Sequence, residues 1–551
     1  MAVGRLTTIR TPCGVHAVDI TQGDGPALSP VRLTCGGDVA RKLRVLPTQQ
    51  TPPVRCLPSL PSVSDFSLPS PSTSPPRTGT VRLAEVLSAL TYALDLTEGQ
   101  RPGHTLRTAL IAMRLGDELG FDAPTKGALY YASLLKDAGC SSNAARMAAL
   151  FGSDDQSVKR DMRLVDWNDR WRLAMRTARN CGVGRNPIAR IQHFLRIAGT
   201  PRMTRDIIQA RCERGAQIAV ALGFPSASSE AIAHVDEHWC GLGHPVGLAG
   251  DEIPLLSRVL LLAQTVEAFF TEHGVDAALR MATTRRARWF DPSLVDHVVG
   301  WRRDRRWWAT IADAEHLDAA VIALEPGALP QTADDERLDA ISYAFAAVID
   351  AKTPFTYRHS TNVARYAVGI ATTLGADRDL ARDMLRAGLL HDIGKLGVSN
   401  RILDKPGKLT DDERHEIQKH PRWTLKILQR VPAFRHFANA SAQHHERMDG
   451  TGYPWALPGP QLDFTARVLA ASDVYEALTA DRPYRAGMTV DKTLGIMRSD
   501  RGTAFDSVVL DATASLAEEG ALALLAASAD DAIARLQSSS PKMSGRGLSA
   551  A

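Results

Sequence analysis

Five histidines and two aspartates between residues 359 and 473 are side chains of the types that hold divalent metal ions: His359, His391, Asp392, His420, His444, His445 and Asp473. Two pairs are consecutive, His391-Asp392 within Leu389-Leu-His-Asp-Ile-Gly-Lys395 and His444-His445. Neighbouring residues on a helix point about 100° apart, so a consecutive pair serves two adjacent ions better than one. In such centres a carboxylate bridges ions about 3.5–4 Å apart, and Asp392 is the candidate bridge. Mixed imidazole and carboxylate donors favour iron or manganese, with zinc, cobalt and nickel chemically open. No cysteine lies in the stretch to argue for structural zinc. Two ions would make hydroxide available near neutral pH and hold a phosphoryl oxygen, which is the chemistry of phosphodiester hydrolysis.

Polar residues nearby extend this reading. Lys395, one helical turn after His391, can neutralise charge developing on phosphate or assist a departing oxygen, the alternative being a solvent-facing lysine. Asp449-Gly-Thr-Gly452 is a tight-turn sequence that sets Tyr453 and Pro454 beside the mouth of the site. Asp481-Arg-Pro-Tyr-Arg485 offers Arg482 and Arg485, planar donors suited to bidentate phosphate binding. Glu446 reads equally as a partner behind the ligands or as a solvated acid on the turn. His415 and His436 read as helix-surface histidines.

The elements that must position these groups are helices. Leu338, Ile341, Phe345, Val348 and Ile349 form one apolar stripe at helical spacing, and His359 heads a helix with the core positions Val363, Ala367, Ile370 and Leu374. An earlier block, opening with Val81, Leu83, Val86, Leu87, Leu90 and Leu94, has the same character. The two blocks are repeats. Aligning His104 with His359 gives an offset of 359 − 104 = 255, which sets Leu134-Leu-Lys-Asp-Ala-Gly-Cys140 against Leu389-Leu-His-Asp-Ile-Gly-Lys395. Further on the offset is 454 − 245 = 209, so the first copy carries an insertion of 255 − 209 = 46 residues between 141 and 210. In that copy Lys136 replaces His391, Arg211 replaces His420, Val235 and Asp236 replace the double histidine, and Gln264 replaces Asp473. His104 and Asp137 survive but cannot hold two ions, so packing, ligand sensing or dimerisation is expected of the first copy.

The chain of 551 residues exceeds one hydrophobic core, and 44% apolar residues suffice to fill two. The expected architecture is all-α: a Pro/Ser-rich disordered segment 1–78, a degenerate helical domain 79–300, a linker 301–332, the metal-bearing domain 333–525 and a flexible tail 526–551. Seven scattered cysteines fit reduced thiols rather than a disulfide framework. A net charge of +4 gives no argument for DNA binding. Without a membrane-length apolar run or a secretion signal, a cytoplasmic location is expected. A homodimer or a signalling protein partner stays open.

The runs His391-Asp-Ile-Gly-Lys395 and His444-His-Glu-Arg-Met-Asp-Gly-Thr-Gly-Tyr-Pro454 make residues 334–520 resemble the HD-GYP domain, a bacterial branch of the HD phosphohydrolase superfamily. The first copy resembles the same fold in degenerate form. The resemblance implies a metal-dependent phosphodiesterase that hydrolyses cyclic di-GMP to linear pGpG or onward to GMP, some members preferring the mixed cyclic GMP-AMP. It also implies that the seven donors above are the ligands, that Asp392 and Lys395 are catalytic, and that Tyr453, Arg482 and Arg485 meet the substrate. Members with a third metal carry a glutamate four residues before the first histidine; Phe355 stands there, so two ions are expected. Hydrolysis of another nucleotide, and nucleotide sensing with little turnover, are the alternatives.

Overall fold

The computed structural model describes residues 7–11, 14–18, 81–199, 201–327, 331–356, 358–482 and 485–527. The chain divides into two compact units, Met1–Phe66 and Ser67–Ala551. In the first, strands Thr7–Thr11 and Gly14–Val18 pair antiparallel, Thr7 opposite Val18. These strands are the described part of the segment expected to be disordered; the rest of 1–78, and the tail from 528, lie outside the described residues.

Among the described residues, the second unit is helical apart from the two-residue pair of Val81–Arg82 with Thr332–Ala333 and isolated bridges. Helix boundaries obey the repeat. Ala123–Leu135 corresponds to Arg378–Leu390 at 378 − 123 = 255, and Ser226–Ala233 and Leu255–His273 correspond to Arg435–Ala442 and Phe464–Thr479 at 435 − 226 = 209 and 464 − 255 = 209. The helix starts are written locally by side-chain caps: Asp122 accepts from the Thr125 amide, Asp377 from Leu380 and Asp463 from Ala466, at 2.8–2.9 Å.

A close backbone approach explains the glycine of both Asp-x-Gly runs. A Cβ on Gly394 would lie 1.9 Å from the His420 carbonyl oxygen, and one on Gly139 the same distance from that of Arg211. Only glycine lets the turn after the motif aspartate press against the next helix.

One apolar core runs through both copies. The helix Leu83–Thr97, buried on nearly all sides, packs on the 3₁₀ turn Ile393–Gly397 and on helix His420–Leu428 of the second copy. Lys426 and Arg430 lie over the Tyr92 ring, 5.0 and 4.6 Å from its centroid. The insertion forms helices Ala144–Phe151, Asp155–Arg163, Arg170–Asn180 and Pro187–Ala198, with a small core of Leu150, Phe151, Val158, Cys181 and Ile207.

Residues 301–332, expected as a linker, contain helices Arg305–Ala312 and Leu317–Ala323. Trp308, Ile311, Leu317 and Val321 are buried, and the Tyr130 hydroxyl donates to the Val321 carbonyl at 3.2 Å. This stretch packs as part of the first copy. Cys140, Cys181, Cys212 and Cys240 are free thiols; all but Cys240 are buried. No helix of the described residues is long and apolar enough to cross a membrane.

Candidate metal centre

The seven donors come from five places in the helical framework. His391 ends helix Arg378–Leu390 and Asp392 opens the turn behind it. His359 begins helix His359–Thr373 directly after Arg358, whose backbone is left-handed at φ 64°. His420 begins helix His420–Leu428, His444 and His445 follow helix Arg435–Ala442, and Asp473 projects from the middle of helix Phe464–Thr479.

They converge around Asp392, which is fully buried. One oxygen, Oδ2, lies 3.4 Å from His359 Nε2 and 3.3 Å from His391 Nε2. The other, Oδ1, lies 3.3 Å from His420 Nε2 and 3.7 Å from His444 Nε2. Asp473 faces the first side, with Oδ1 3.3 Å from His359 Nε2, and its Oδ2 lies 3.8 Å from His445 Nδ1. The carboxylate of Asp392 thus separates two nests of donors, each compact enough to surround one ion.

The outer ring nitrogens are held by fixed acceptors. Nδ1 of His391, His420 and His444 meets the carbonyls of Gly388, Ile417 and Ser441 at 2.7, 2.6 and 2.6 Å. Nδ1 of His359 meets Glu476 Oε2 at 2.6 Å. A proton on each Nδ1 turns an Nε2 lone pair inward, as metal-binding histidines require. Glu476 was not among the residues anticipated from sequence; its position three residues after Asp473, one turn along the same helix, was the available signal.

The donors fit metal on electrostatic grounds. His359 Nε2, His391 Nε2 and Asp392 Oδ1 are buried without a hydrogen-bond partner among the described residues, an arrangement that is costly unless a cation completes it. Burial, reinforced by the neighbouring imidazoles, lowers His444 well below the ordinary histidine value and His445 to about 3, keeping both neutral. Burial works against a charge on His359 too, but Glu476, Asp392 and Asp473 outweigh it and raise that group strongly. Three carboxylates around one imidazole mark a place that demands positive charge.

Lys395, 24% exposed, sets its ammonium 2.5 Å from Asp392 Oδ2. The Tyr453 ring stacks on His445, centroids 4.7 Å apart, at the edge of the centre. Arg482 donates to the Phe355 carbonyl and approaches Glu476 Oε2 at 3.4 Å. Arg485 instead donates to the carbonyls of Leu478 and Ala477 at 3.3 and 2.9 Å, at the end of the Asp473 helix, and no described contact brings it to the donors. Glu446 also lies apart, accepting from the amides of Trp455 and Leu457 at 2.8 and 3.0 Å and so holding the Gly-Tyr-Pro loop. His415 and His436 are exposed, as expected.

A profile of the HD domain matches residues 140–294 and 344–509, more than half of the chain and parts of both copies. The chain belongs to the HD-domain family. It is 40% identical over 431 residues to the 3'3'-cGAMP-specific phosphodiesterase 3 of Vibrio cholerae, covering 78% of this chain and 93% of that one. The crystal structure of a cyclic GMP-AMP specific phosphodiesterase of Vibrio cholerae superposes with a TM-score of 0.55 at 35% identity, over 79% of this chain and 98% of that chain. A cyclic di-GMP phosphodiesterase of Pseudomonas aeruginosa is 40% identical over 151 residues, 27% of this chain and 36% of its own.

The first HD domain keeps the framework but carries side-chain cations at several of the donor positions. Lys136, at the position of His391, contacts Asp137 and lies 3.1 Å from His104 Nε2. Arg163, from the insertion, reaches His104 Nε2 at 2.5 Å and Glu98 Oε2 at 2.8 Å. Arg211, at the position of His420, pairs with Asp236, at that of His445. Glu267, the counterpart of Glu476, still holds His104 Nδ1. Lys159 Nζ approaches Glu98 Oε1 at 3.1 Å. Each buried carboxylate of this group has a fixed cation or imidazole beside it.

Proposed function

We propose that the second HD domain hydrolyses a cyclic dinucleotide with two divalent ions, iron or manganese, held by His359, His391, Asp392, His420, His444, His445 and Asp473. The observation that carries this reading is Asp392, whose two oxygens face separate pairs of imidazoles. Two ions bound there supply Lewis acidity to a phosphodiester and make hydroxide available near neutral pH. Phe355 at the glutamate position supports two ions rather than three.

The chain's own groups shape the rest. Glu476 and the three carbonyls fix the imidazoles, so the donors need little rearrangement on loading. Lys395 lies beside the bridging carboxylate and part-exposed, where its ammonium stabilises charge on a phosphate and on the departing oxygen. Tyr453 offers a ring face to a base, and Arg482 sits on the His359 side, where its guanidinium faces phosphate. Arg485 serves by holding the turn that carries Arg482.

The favoured substrate is 3'3'-cyclic GMP-AMP, because the cGAMP-specific relative matches along both copies. Cyclic di-GMP, expected from the motifs, is the second reading, favoured by relatives matching mainly one HD domain. Steady-state hydrolysis of the two compounds in parallel, on protein supplied with iron or manganese, tests the proposal. A higher kcat/KM for the mixed compound is expected. Equal turnover or a preference for cyclic di-GMP overturns the substrate choice, and cleavage of neither overturns the function.

A further inference from the structure

The first HD domain contains a cavity of about 410 Å³ between the insertion helix Arg170–Asn180 and helix Val275–Thr284. Five arginines line it: Arg172, Arg176 and Arg179 from the insertion, with Arg280 and Arg285 opposite. The spacing of 172, 176 and 179 puts three guanidiniums on one helical face. The lining acid, Asp166, already accepts from Arg288 at 2.6 Å and from the Trp289 indole at 2.9 Å. Arg172 and Arg176 have carboxylate neighbours, Asp169 at 3.2 Å and Asp161 at 3.5 Å. Arg179, Arg280 and Arg285 have none within ion-pair distance among the described residues.

Arg285 is the decisive residue. It is only 5% exposed, and its Nη1 has no hydrogen-bond partner among the described residues, whereas Nη2 donates to the Leu164 carbonyl at 3.1 Å. Its guanidinium is held over the Trp289 and Phe269 rings, 4.3 and 5.3 Å from their centroids. Burial lowers it to about 10, so it stays charged at neutral pH. A buried cation beside a cavity, with one guanidinium nitrogen enclosed and unpartnered, is an incomplete hydrogen-bonding arrangement that a small rearrangement on ligand binding would complete.

The second HD domain lacks the arginines that line this cavity. The paired bridges Arg286 with Phe290 and Arg501 with Phe505 fix a local offset of 501 − 286 = 215. At that offset Arg280 becomes Gly495 and Arg285 becomes Asp500, and the three insertion arginines have no counterpart. The arginines are therefore no requirement of the shared fold.

We infer that this cavity is a binding site for a nucleotide-sized phosphate ester, its phosphate held by Arg179, Arg280 and Arg285 and its ring against the apolar wall around Phe269. Planar guanidiniums match phosphate oxygens in bidentate fashion, and ligand cavities of this kind span roughly 300–1,000 Å³. The site is separate from the metal centre, and the inference stands whether or not the second domain hydrolyses cyclic dinucleotides.

The test is calorimetric titration of the full chain with GMP, with guanosine and with inorganic pyrophosphate, compared with the Arg179→Ala/Arg280→Ala variant. Both arginines are exposed, so the variant should keep its unliganded melting temperature and its hydrolytic activity. GMP should bind saturably, guanosine at least about tenfold more weakly, and the variant should lose at least about tenfold in GMP affinity, as expected for charge-assisted contacts. Arg285→Met, read by the ligand-induced rise in melting temperature, should abolish that rise. Equal binding of guanosine and GMP, a variant affinity within twofold of the parent, or no binding of GMP and pyrophosphate would each overturn the inference.

Discussion

Asp392 touches both nests of donors, so in the proposed two-ion centre its loss should remove both ions rather than weaken one. Asp392→Ala should lower turnover by at least about a thousandfold, and metal analysis of the same protein should find the ions gone. Glu476→Gln is a gentler probe: it keeps the shape but removes the negative charge of the carboxylate that meets His359 Nδ1, and metal affinity should fall about 10–100-fold. Unchanged affinity, measured by chelator competition, would show that Glu476 does not support the centre. In the first domain Glu98 carries a pH signature. Burial raises its carboxyl, but Lys159 and Arg163 outweigh burial and hold it at about 2 against an ordinary 4.5. The unfolded chain therefore binds the proton more readily between those values. The stabilisation is complete above about pH 4.5 and disappears as pH falls through about 2. Glu98→Gln, which strands two buried cations, should cost about 3–5 kcal/mol at pH 7 and remove that acid-dependent loss, as read by denaturant unfolding across pH.

The helix Asp155–Arg163 joins the two copies end to end. Its C-terminal half carries Lys159 and Arg163 into the ion cluster of the first domain. At its start, Asp155 accepts from the Asn400 amide at 2.8 Å and faces Lys352 Nζ at 3.6 Å, and Gln156 Nε2 donates to the Leu396 carbonyl at 3.2 Å. Those last contacts grip the turn that carries Lys395 and the segment before Phe355. Asp155→Ala leaves Lys352 buried without its carboxylate and should destabilise the chain by about 3 kcal/mol. A thermal melt that does not move would contradict this role. Sequence alone could not reveal the helix's part, because Arg163 lies in an insertion with no counterpart against which a ligand-for-cation exchange could be read. Lys136 and Arg211, at aligned positions, were legible. The helices in 301–332 were obscured by the Gly and Pro residues at 326–330, although Trp308, Ile311, Leu317 and Val321 already had helical spacing.

Taken whole, the molecule is a duplicated fold that gathers imidazoles around the central carboxylate of one copy and lysine and arginine around that of the other. The convergence of the seven side chains was legible because metal chemistry restricts residue type and because all of them but Asp473 sit where helices begin or end. Arg485 was less so: its spacing suits phosphate, yet its guanidinium goes to helix-end carbonyls. Because one core passes through both domains and Leu83–Thr97 covers the turn bearing Lys395, the second domain is not expected to stand alone. A chain beginning at residue 333 should aggregate in size-exclusion chromatography, and a stable active monomer would contradict the shared core. The most direct test of the two-ion centre is the metal content of the full chain, purified anaerobically with iron or manganese supplied. About two ions per chain are predicted, falling to near none in Asp392→Ala; less than one ion in the parent chain, or a third, would contradict the account.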